Sequence, residues 1–66
     1  MEIQEFVNGA ESLRYGLLKQ AMHYLGNGSD AEDAVQETLL KLWTVRERVA
    51  DATKMQHMAS VVCRNV

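Results

Sequence analysis

The side chains that could bind a metal ion or act in catalysis are few in this sequence. Four carboxylates lie close together, at Asp30, Glu32, Asp33 and Glu37. Carboxylates can hold a hard cation, but no acidic cluster on another segment and no neighbouring histidine accompanies them. We therefore predict no metal site, and expect these acids to form the start of a helix, where the helix dipole favours negative charge, and part of its solvated face.

Histidine and cysteine chemistry is equally limited. His23 and His57 are far apart in the sequence, and neither has a metal ligand at helical spacing, so we expect both at the surface or at the boundary of the core. Cys63 is the single cysteine, which excludes an internal disulfide, and it should be a packed, unreactive thiol. No nucleophile or acid–base pair stands out. The sequence therefore predicts neither an enzyme nor a bound cofactor.

The segment from Ser29 to Trp43 predicts a helix with two different faces. At about 100° per residue, one face collects side chains that can pack against other helices, namely Ala31, Val35, Thr38, Leu39, Leu42, Val45 and Val49. The opposite face collects Asp33, Gln36, Glu37, Leu40, Thr44 and Glu47. A large leucine among acids indicates a docking surface for a basic partner; a solvated face without a partner is the alternative. Trp43, between the faces, is either a half-buried core residue or a partner contact.

Three amphipathic segments separated by two short turns predict an all-α fold, a small antiparallel three-helix bundle with helices near residues 2–25, 30–48 and 53–66. The first apolar stripe is Ile3, Phe6, Val7, Ala10, Leu13, Leu17, Leu18, Ala21, Met22 and Leu25, and the third is Met55, Met58, Ala59, Val62 and Val66. Gly26 suits a left-handed helix end, and a kink at Gly9 is an alternative to a straight first helix. Capping-box patterns at Ser29–Glu32 and Thr53–Gln56 indicate where the later helices start.

Length and composition restrict the function further. The chain has 66 residues, no proline and a formal net charge of −2, which fits one small helical domain and argues against a dedicated duplex-DNA binder. No apolar run approaches the length of a membrane span, and the acidic start lacks the features of a signal peptide. We expect a cytoplasmic protein. The final helix lacks a stop signal, so the chain is expected to be a fragment of a longer one.

Residues 30 to 43, Asp-Ala-Glu-Asp-Ala-Val-Gln-Glu-Thr-Leu-Leu-Lys-Leu-Trp, resemble the polymerase-binding helix of bacterial sigma factors. The resemblance is to region 2 of the extracytoplasmic-function (ECF) group. It extends to the segment from Leu17 to Gly26, which is similar to the Leu-x-x-x-Ala-x-x-x-Leu-Gly before the acidic motif, and to the ending Cys63-Arg64-Asn65-Val66. It implies a region 2 bundle that acts in transcription initiation by binding the β′ clamp helices of core RNA polymerase. Asp33, Gln36, Glu37 and Leu40 would make that contact.

The resemblance also implies a role in promoter opening. In this family the loop between the second and third helices captures a flipped base of the −10 non-template strand. The matching DNA-binding residues here are Arg48, Asp51, Thr53, Lys54, His57 and Arg64. Lys54 and Arg64 would contact phosphates, whereas Arg46 and Arg48 can also be explained as charges that complement the C-terminal end of a helix. An anti-sigma factor is a further partner that the resemblance suggests.

The sequence departs from the family pattern in the third helix. Met58-Ala59 stands where many members have Trp or Phe followed by Leu, and Val61 stands where many have a basic residue. The −35-binding domain of the family is absent from this sequence. We therefore expect polymerase docking to be the better-supported role, and keep as the alternative a helical protein-interaction module without a nucleic-acid role.

Overall fold

Three α-helices and one 3-10 turn make up this chain, whose structure is a computed structural model that describes residues 1–66. The helices are α1 (Ile3–Leu25), α2 (Gly28–Thr44) and α3 (Ala52–Arg64), and the 3-10 turn, Arg46–Arg48, follows α2. There is no β-strand, so the predicted all-α three-helix fold is confirmed. None of the helices has both the length and the apolar character that crossing a membrane requires.

The contacts between α1 and α2 show that these helices are antiparallel. Arg14, in the middle of α1, forms an ion pair of 2.7 Å with Glu32, near the start of α2. Phe6, near the start of α1, packs edge-on against Trp43, near the end of α2, with 5.3 Å between the ring centroids. The start of α1 therefore lies beside the end of α2, and the middle of α1 lies beside the start of α2. Neighbouring helices joined by a short connection have this antiparallel arrangement.

The third helix runs parallel to α1 and packs closely against it. A Cβ atom at Gly9 would lie 2.7 Å from the Sδ atom of the buried Met55, so glycine permits the close approach of the two helices. Further along both helices, Gln20 Nε2 donates a hydrogen bond of 2.9 Å to the main-chain oxygen of Ser60, and Ser60 Oγ donates one of 3.1 Å back to Gln20 Oε1. Helix α1 continues through Gly9 without interruption.

The core lies where the three helices meet. Its buried side chains are Phe6, Leu17, Ala21, Ala31, Ala34, Val35, Thr38, Leu42, Val49, Met55, Ala59 and Cys63. The Thr38 hydroxyl donates a hydrogen bond of 2.7 Å to the main-chain oxygen of Ala34, so this polar group is satisfied inside the core. The predicted stripe of α1 is too wide, because Ile3, Val7, Met22 and Leu25 are exposed.

The predicted start of α2 is wrong by two residues. Gly26 adopts the left-handed conformation expected of it, with φ 80°, and Asn27 is extended. The Asn27 side chain therefore caps the helix by accepting a hydrogen bond of 2.8 Å from the main-chain N–H of Asp30. Ser29, predicted as the cap, lies inside the first turn of α2.

The connection from α2 to α3 also differs from the prediction. Helix α2 ends at Thr44, and the 3-10 turn replaces its expected last turn. The side chain of Val49 is fully buried, which draws the chain into the core after this turn. The predicted capping box at Thr53 is wrong, because Asp51 Oδ1 accepts a hydrogen bond of 2.8 Å from the main-chain N–H of Lys54 and caps α3 two residues before Thr53.

The N-terminal end of α1 is capped by Glu2. Its carboxylate accepts hydrogen bonds from the main-chain N–H groups of Gln4, at 2.9 Å, and Glu5, at 3.0 Å. These two bonds stabilise the ionised form and lower the pKa of Glu2 below its ordinary value of 4.5. The first turn of α1 is therefore fixed by a charged cap.

Candidate functional site

The outer face of α2 carries the four residues predicted to dock on a partner. Asp33, Gln36, Glu37 and Leu40 are all exposed and fall within about 100° of the helix circumference. Burial of the opposite side of α2 in the core turns them outward. Leu40 is 66% exposed, whereas Leu42, two residues later, is fully buried. A leucine held in solvent at the centre of an acidic face is the clearest feature of this surface.

The charges on this face are open to solvent. Glu37 forms an ion pair of 3.7 Å with Lys41, and both side chains are about half exposed, so the pair contributes little to stability. Asp33 has no ion-pair partner. Thr44 continues the face by one turn and donates a hydrogen bond of 3.0 Å to the main-chain oxygen of Leu40. The face therefore presents a net negative field to an approaching molecule.

Trp43 lies at the edge of the same face and is held from two sides. The Phe6 ring meets it edge-on, and the Arg46 guanidinium lies 3.9 Å from the centre of its ring. Arg46 also donates a hydrogen bond of 2.8 Å to the main-chain oxygen of Trp43, and so complements the C-terminal end of α2. Trp43 remains 37% exposed, a rigid aromatic surface beside Leu40.

A shallow apolar depression joins these residues. Its lining comprises Phe6, Gln36, Leu39, Leu40 and Trp43. The sequence places Gln36 and Leu40 on the outer face of α2 and Trp43 at its edge, whereas it assigns Leu39 to the packing face. It does not indicate Phe6, because this contribution from α1 arises only when the two helices pack together. The cation–π contact between Arg46 and Trp43 does have a local signal in the sequence, namely the three-residue spacing of the two residues.

The predicted DNA-binding residues of α3 share one exposed face. Thr53, Lys54, His57 and Arg64 are all exposed and fall within about 100° of the helix circumference. Arg48 is exposed on the 3-10 turn that precedes the loop. The structure thus groups the cationic side chains of α3 and places Arg48 before them in the connection.

Asp51 is the exception among these residues. Its carboxylate caps α3 by its bond to the main chain of Lys54. The loop ahead of it is short, since the 3-10 turn ends at Arg48 and Val49 is buried. Of the stretch from Arg48 to Asp51, only Arg48 and Ala50 have exposed side chains that are free of a capping role.

The remaining reactive side chains are placed as expected. His23 and His57 are exposed. The thiol of Cys63 is buried, with Sγ 3.9 Å from the main-chain oxygen of Leu17. No three His, Cys, Asp or Glu side chains lie close enough together to hold a metal ion.

Comparison with known proteins identifies the family. The family model for sigma-70 region 2 matches residues 10–55, more than two thirds of the chain, and the match includes all of α2 and the connection to α3. Searches of curated proteins and of solved structures gave no significant match. Sigma factor region 2 domains are not enzymes; they act in transcription initiation with core RNA polymerase and promoter DNA. This chain belongs to the sigma-70 region 2 family.

Proposed function

We propose that this chain docks on the β′ clamp helices of core RNA polymerase through the outer face of α2, and that it helps to recognise and open the −10 promoter element. The exposure of Leu40 carries the proposal. Two leucines on one helix differ from 66% exposed to fully buried, and the exposed one shares its face with the carboxylates of Asp33 and Glu37. An apolar anchor inside a charged rim is the usual arrangement of a protein-binding hot spot.

The chemistry of the face fits a basic helical partner. Leu40 and the depression beside it would receive an apolar side chain, and Gln36 would donate and accept hydrogen bonds at the edge. Asp33 and Glu37 would pair with Arg or Lys of the β′ clamp. The open position of Asp33, which no cation of this chain neutralises, would also accelerate association with a positively charged surface.

The contribution to promoter opening rests on the exposed face of α3. Lys54 and Arg64 would contact phosphates of the −10 non-template strand, with Thr53 beside Lys54 and His57 between the two cations, and Arg48 would approach from the connection. Asp51 would act indirectly, because it caps α3 and so fixes the start of this face. His57 and Arg64 lie beyond the region that the family model matches, so the docking role has the broader support.

Further details of the proposal follow from the motif in residues 30 to 43. We place the chain in the ECF group, and expect a cytoplasmic protein that an anti-sigma factor can bind. A helical protein-interaction module without a nucleic-acid role is the alternative, which the net charge of −2 favours. One measurement distinguishes the sigma-factor role from this alternative: whether the chain, once bound to core polymerase, increases binding of −10 single-stranded DNA.

A two-stage binding experiment tests the proposal. The first stage is titration of the chain with the isolated β′ clamp coiled coil, for which a micromolar or tighter complex is expected with wild type and slower association at low salt with Asp33→Lys. The second stage measures binding of a −10 oligonucleotide to the chain on core polymerase. Absence of a clamp complex would refute the docking role, and clamp binding without any increase in DNA binding would favour the alternative.

Lys54→Glu separates the two surfaces. The substitution should weaken binding of the −10 oligonucleotide to the assembled complex by reversing a phosphate contact, while the affinity for polymerase changes little, because Lys54 is on α3 and away from the docking face. Lys19→Glu, the same charge change on an exposed residue of α1, is the matched control. If both variants weakened DNA binding equally, the effect of Lys54→Glu would be explained by the change of net charge, and Lys54 would have no specific contact with DNA.

A further inference from the structure

The outer face of α1, turned away from the other two helices, carries a row of three exposed residues. Glu11, Tyr15 and Lys19 follow one another at four-residue steps, so they lie one above another within about 80° of the helix circumference. Tyr15 is 70% exposed, more than any other large apolar or aromatic side chain of the chain. The buried residues of α1 lie on the opposite side, namely Phe6, Leu17 and Ala21.

The two charges of this row have no partner within the chain. The ion pairs of the structure include neither Glu11 nor Lys19. These residues are about 12 Å apart along the helix axis, which is too far for an ion pair between them. The Lys19 side chain instead lies across Tyr15, with Nζ 5.5 Å from the centre of the ring. This cation–π contact holds the tyrosine ring on the helix surface and leaves the ammonium group open to a carboxylate.

The row is complementary to its own reversed copy. Tyr15 is the midpoint, with Glu11 one step before it and Lys19 one step after it. If two copies of α1 cross in opposite directions with their Tyr15 side chains in contact, Glu11 of each copy meets Lys19 of the other. Rows of residues four apart are the ridges that interdigitate in the commonest class of helix packing. A two-fold axis relates the copies, and an interface of this kind closes at a dimer.

The rest of α1 fits the same antiparallel pairing. Its acidic residues, Glu5 and Glu11, precede its basic residues, Arg14 and Lys19. This order complements the helix dipole, and it also places opposite charges along the contact between two antiparallel copies. Met22, one further step along the same face, is 40% exposed and adds apolar contact at each end of the interface.

We infer that this chain associates with a second copy of itself through the outer face of α1, in a two-fold symmetric dimer centred on Tyr15 and held by two Glu11–Lys19 ion pairs. A single helix face buries less than the roughly 800 Å² per partner of a stable interface, so the dimer is weak and forms at high concentration. The inference does not depend on the proposed docking function, because the docking residues all belong to α2.

Two charge reversals test the pairing, because each is unfavourable alone and the two are complementary when mixed. Sedimentation equilibrium of the wild-type chain between about 10 µM and about 1 mM should show a monomer–dimer equilibrium. Glu11→Lys leaves only cations at these contacts and Lys19→Glu leaves only carboxylates, so each variant should dimerise about tenfold more weakly. An equimolar mixture of the two variants should form a heterodimer about as well as wild type dimerises, because every contact again joins opposite charges.

Tyr15→Ala tests the aromatic centre of the interface, and Tyr24→Ala is its matched control. Tyr24 is the other tyrosine of the chain. It is 59% exposed and lies about 180° from Tyr15 around α1. Tyr15→Ala should weaken dimerisation by about tenfold, as loss of a central aromatic contact does, whereas Tyr24→Ala should dimerise as wild type does. All variants should retain the helical circular dichroism spectrum, because the substituted side chains are exposed and the new residues are strong helix formers.

Three results would overturn the inference. The first is a wild-type chain that stays monomeric up to about 1 mM. The second is a mixture of the two charge variants that associates no better than either variant alone, since another surface would then form the dimer. The third is an equal effect of the two tyrosine substitutions. Clamp and DNA binding are measured below about 10 µM, where the chain is a monomer, so these results leave the proposed function untouched and Lys19→Glu stays a suitable control there.

Discussion

Leu40 and Leu42 form a natural pair for separating stability from binding. Leu40→Ala should leave the free energy of unfolding within about 0.5 kcal/mol of wild type, because the side chain is 66% exposed. Leu42→Ala should cost about 2–5 kcal/mol, since it leaves a cavity where the fully buried leucine side chain was. A domain of 66 residues has a total stability of only about 3–10 kcal/mol, so Leu42→Ala removes much of it.

The expected loss in binding follows from the exposed fraction of Leu40. Full burial of a leucine side chain contributes about 1.5–3 kcal/mol. Since about two thirds of Leu40 is accessible in the free chain, a partner that covers it would gain about 1–2 kcal/mol. Leu40→Ala should therefore raise the Kd for the β′ clamp coiled coil by about 5- to 30-fold.

Two measurements on the same samples check these values. Thermal unfolding followed by circular dichroism gives stability, and titration with the clamp coiled coil gives affinity. Trp43, the single tryptophan, lies beside Leu40, so its fluorescence should also change on binding. A melting temperature lowered by Leu40→Ala as much as by Leu42→Ala would refute the assignment of Leu40 to the surface. Unchanged affinity of Leu40→Ala would refute its role as the anchor.

Three further predictions concern stability and reactivity. Gly16→Ala should raise the free energy of unfolding by about 0.5–1 kcal/mol, because a Cβ there meets no atom within 4 Å. Gly9→Ala should raise it by less, because the added methyl group meets the side chain of Met55. Urea unfolding measures both changes. The buried Cys63 thiol should react with a disulfide reagent only as fast as the chain opens, as absorbance of the released thiolate will report. Stability should fall as the pH drops through the folded-state pKa of Glu2, because its cap bonds lower that pKa and only the ionised form keeps them; Glu2→Gln should flatten this part of the pH profile.

Each of these predictions has a clear contrary outcome. Equal gains from Gly9→Ala and Gly16→Ala would contradict the close approach of α1 and α3. Labelling of Cys63 at the rate of a free thiol under native conditions would contradict its burial. A pH profile that Glu2→Gln leaves unchanged would mean that the cap contributes nothing measurable to the folded chain.

The number and order of the helices could be predicted from sequence because the apolar periodicity is strong and the turn at Gly26 is distinctive. The residues that cap α2 and α3 could not. Asn27 and Ser29 are both good N-cap residues, as are Asp51 and Thr53. The choice between them depends on where the chain becomes extended, which the left-handed Gly26 and the buried Val49 decide. The burial of Val49 is a tertiary effect that leaves no signal in the local sequence.

The candidate site could also be predicted only in part. The outer face of α2 follows from periodicity alone, and the structure confirms that its four predicted residues are exposed together. Ile3 and Val7 were assigned to the core by the same reasoning, because they continue the stripe of α1. The structure exposes them because α2 and α3 cover only part of that stripe. Periodicity identifies an apolar side chain, but packing decides whether the chain itself or a partner covers it.

The net charge of −2 conceals a separation of charge that bears on the order of binding. The docking face of α2 holds Asp33 and Glu37, whereas the exposed face of α3 holds Lys54 and Arg64. The two sets of charges lie on different helices, and salt, with a Debye length of about 10 Å at 0.1 M, weakens the effect of each set on the other. The free chain as a whole nevertheless repels phosphate, and should bind −10 single-stranded DNA weakly or not at all. When a basic partner neutralises the acids of α2, the cations of α3 dominate what remains, and docking also concentrates them at the opened strand. In the proposed function, polymerase binding therefore precedes DNA capture for an electrostatic reason that is present in this one small domain.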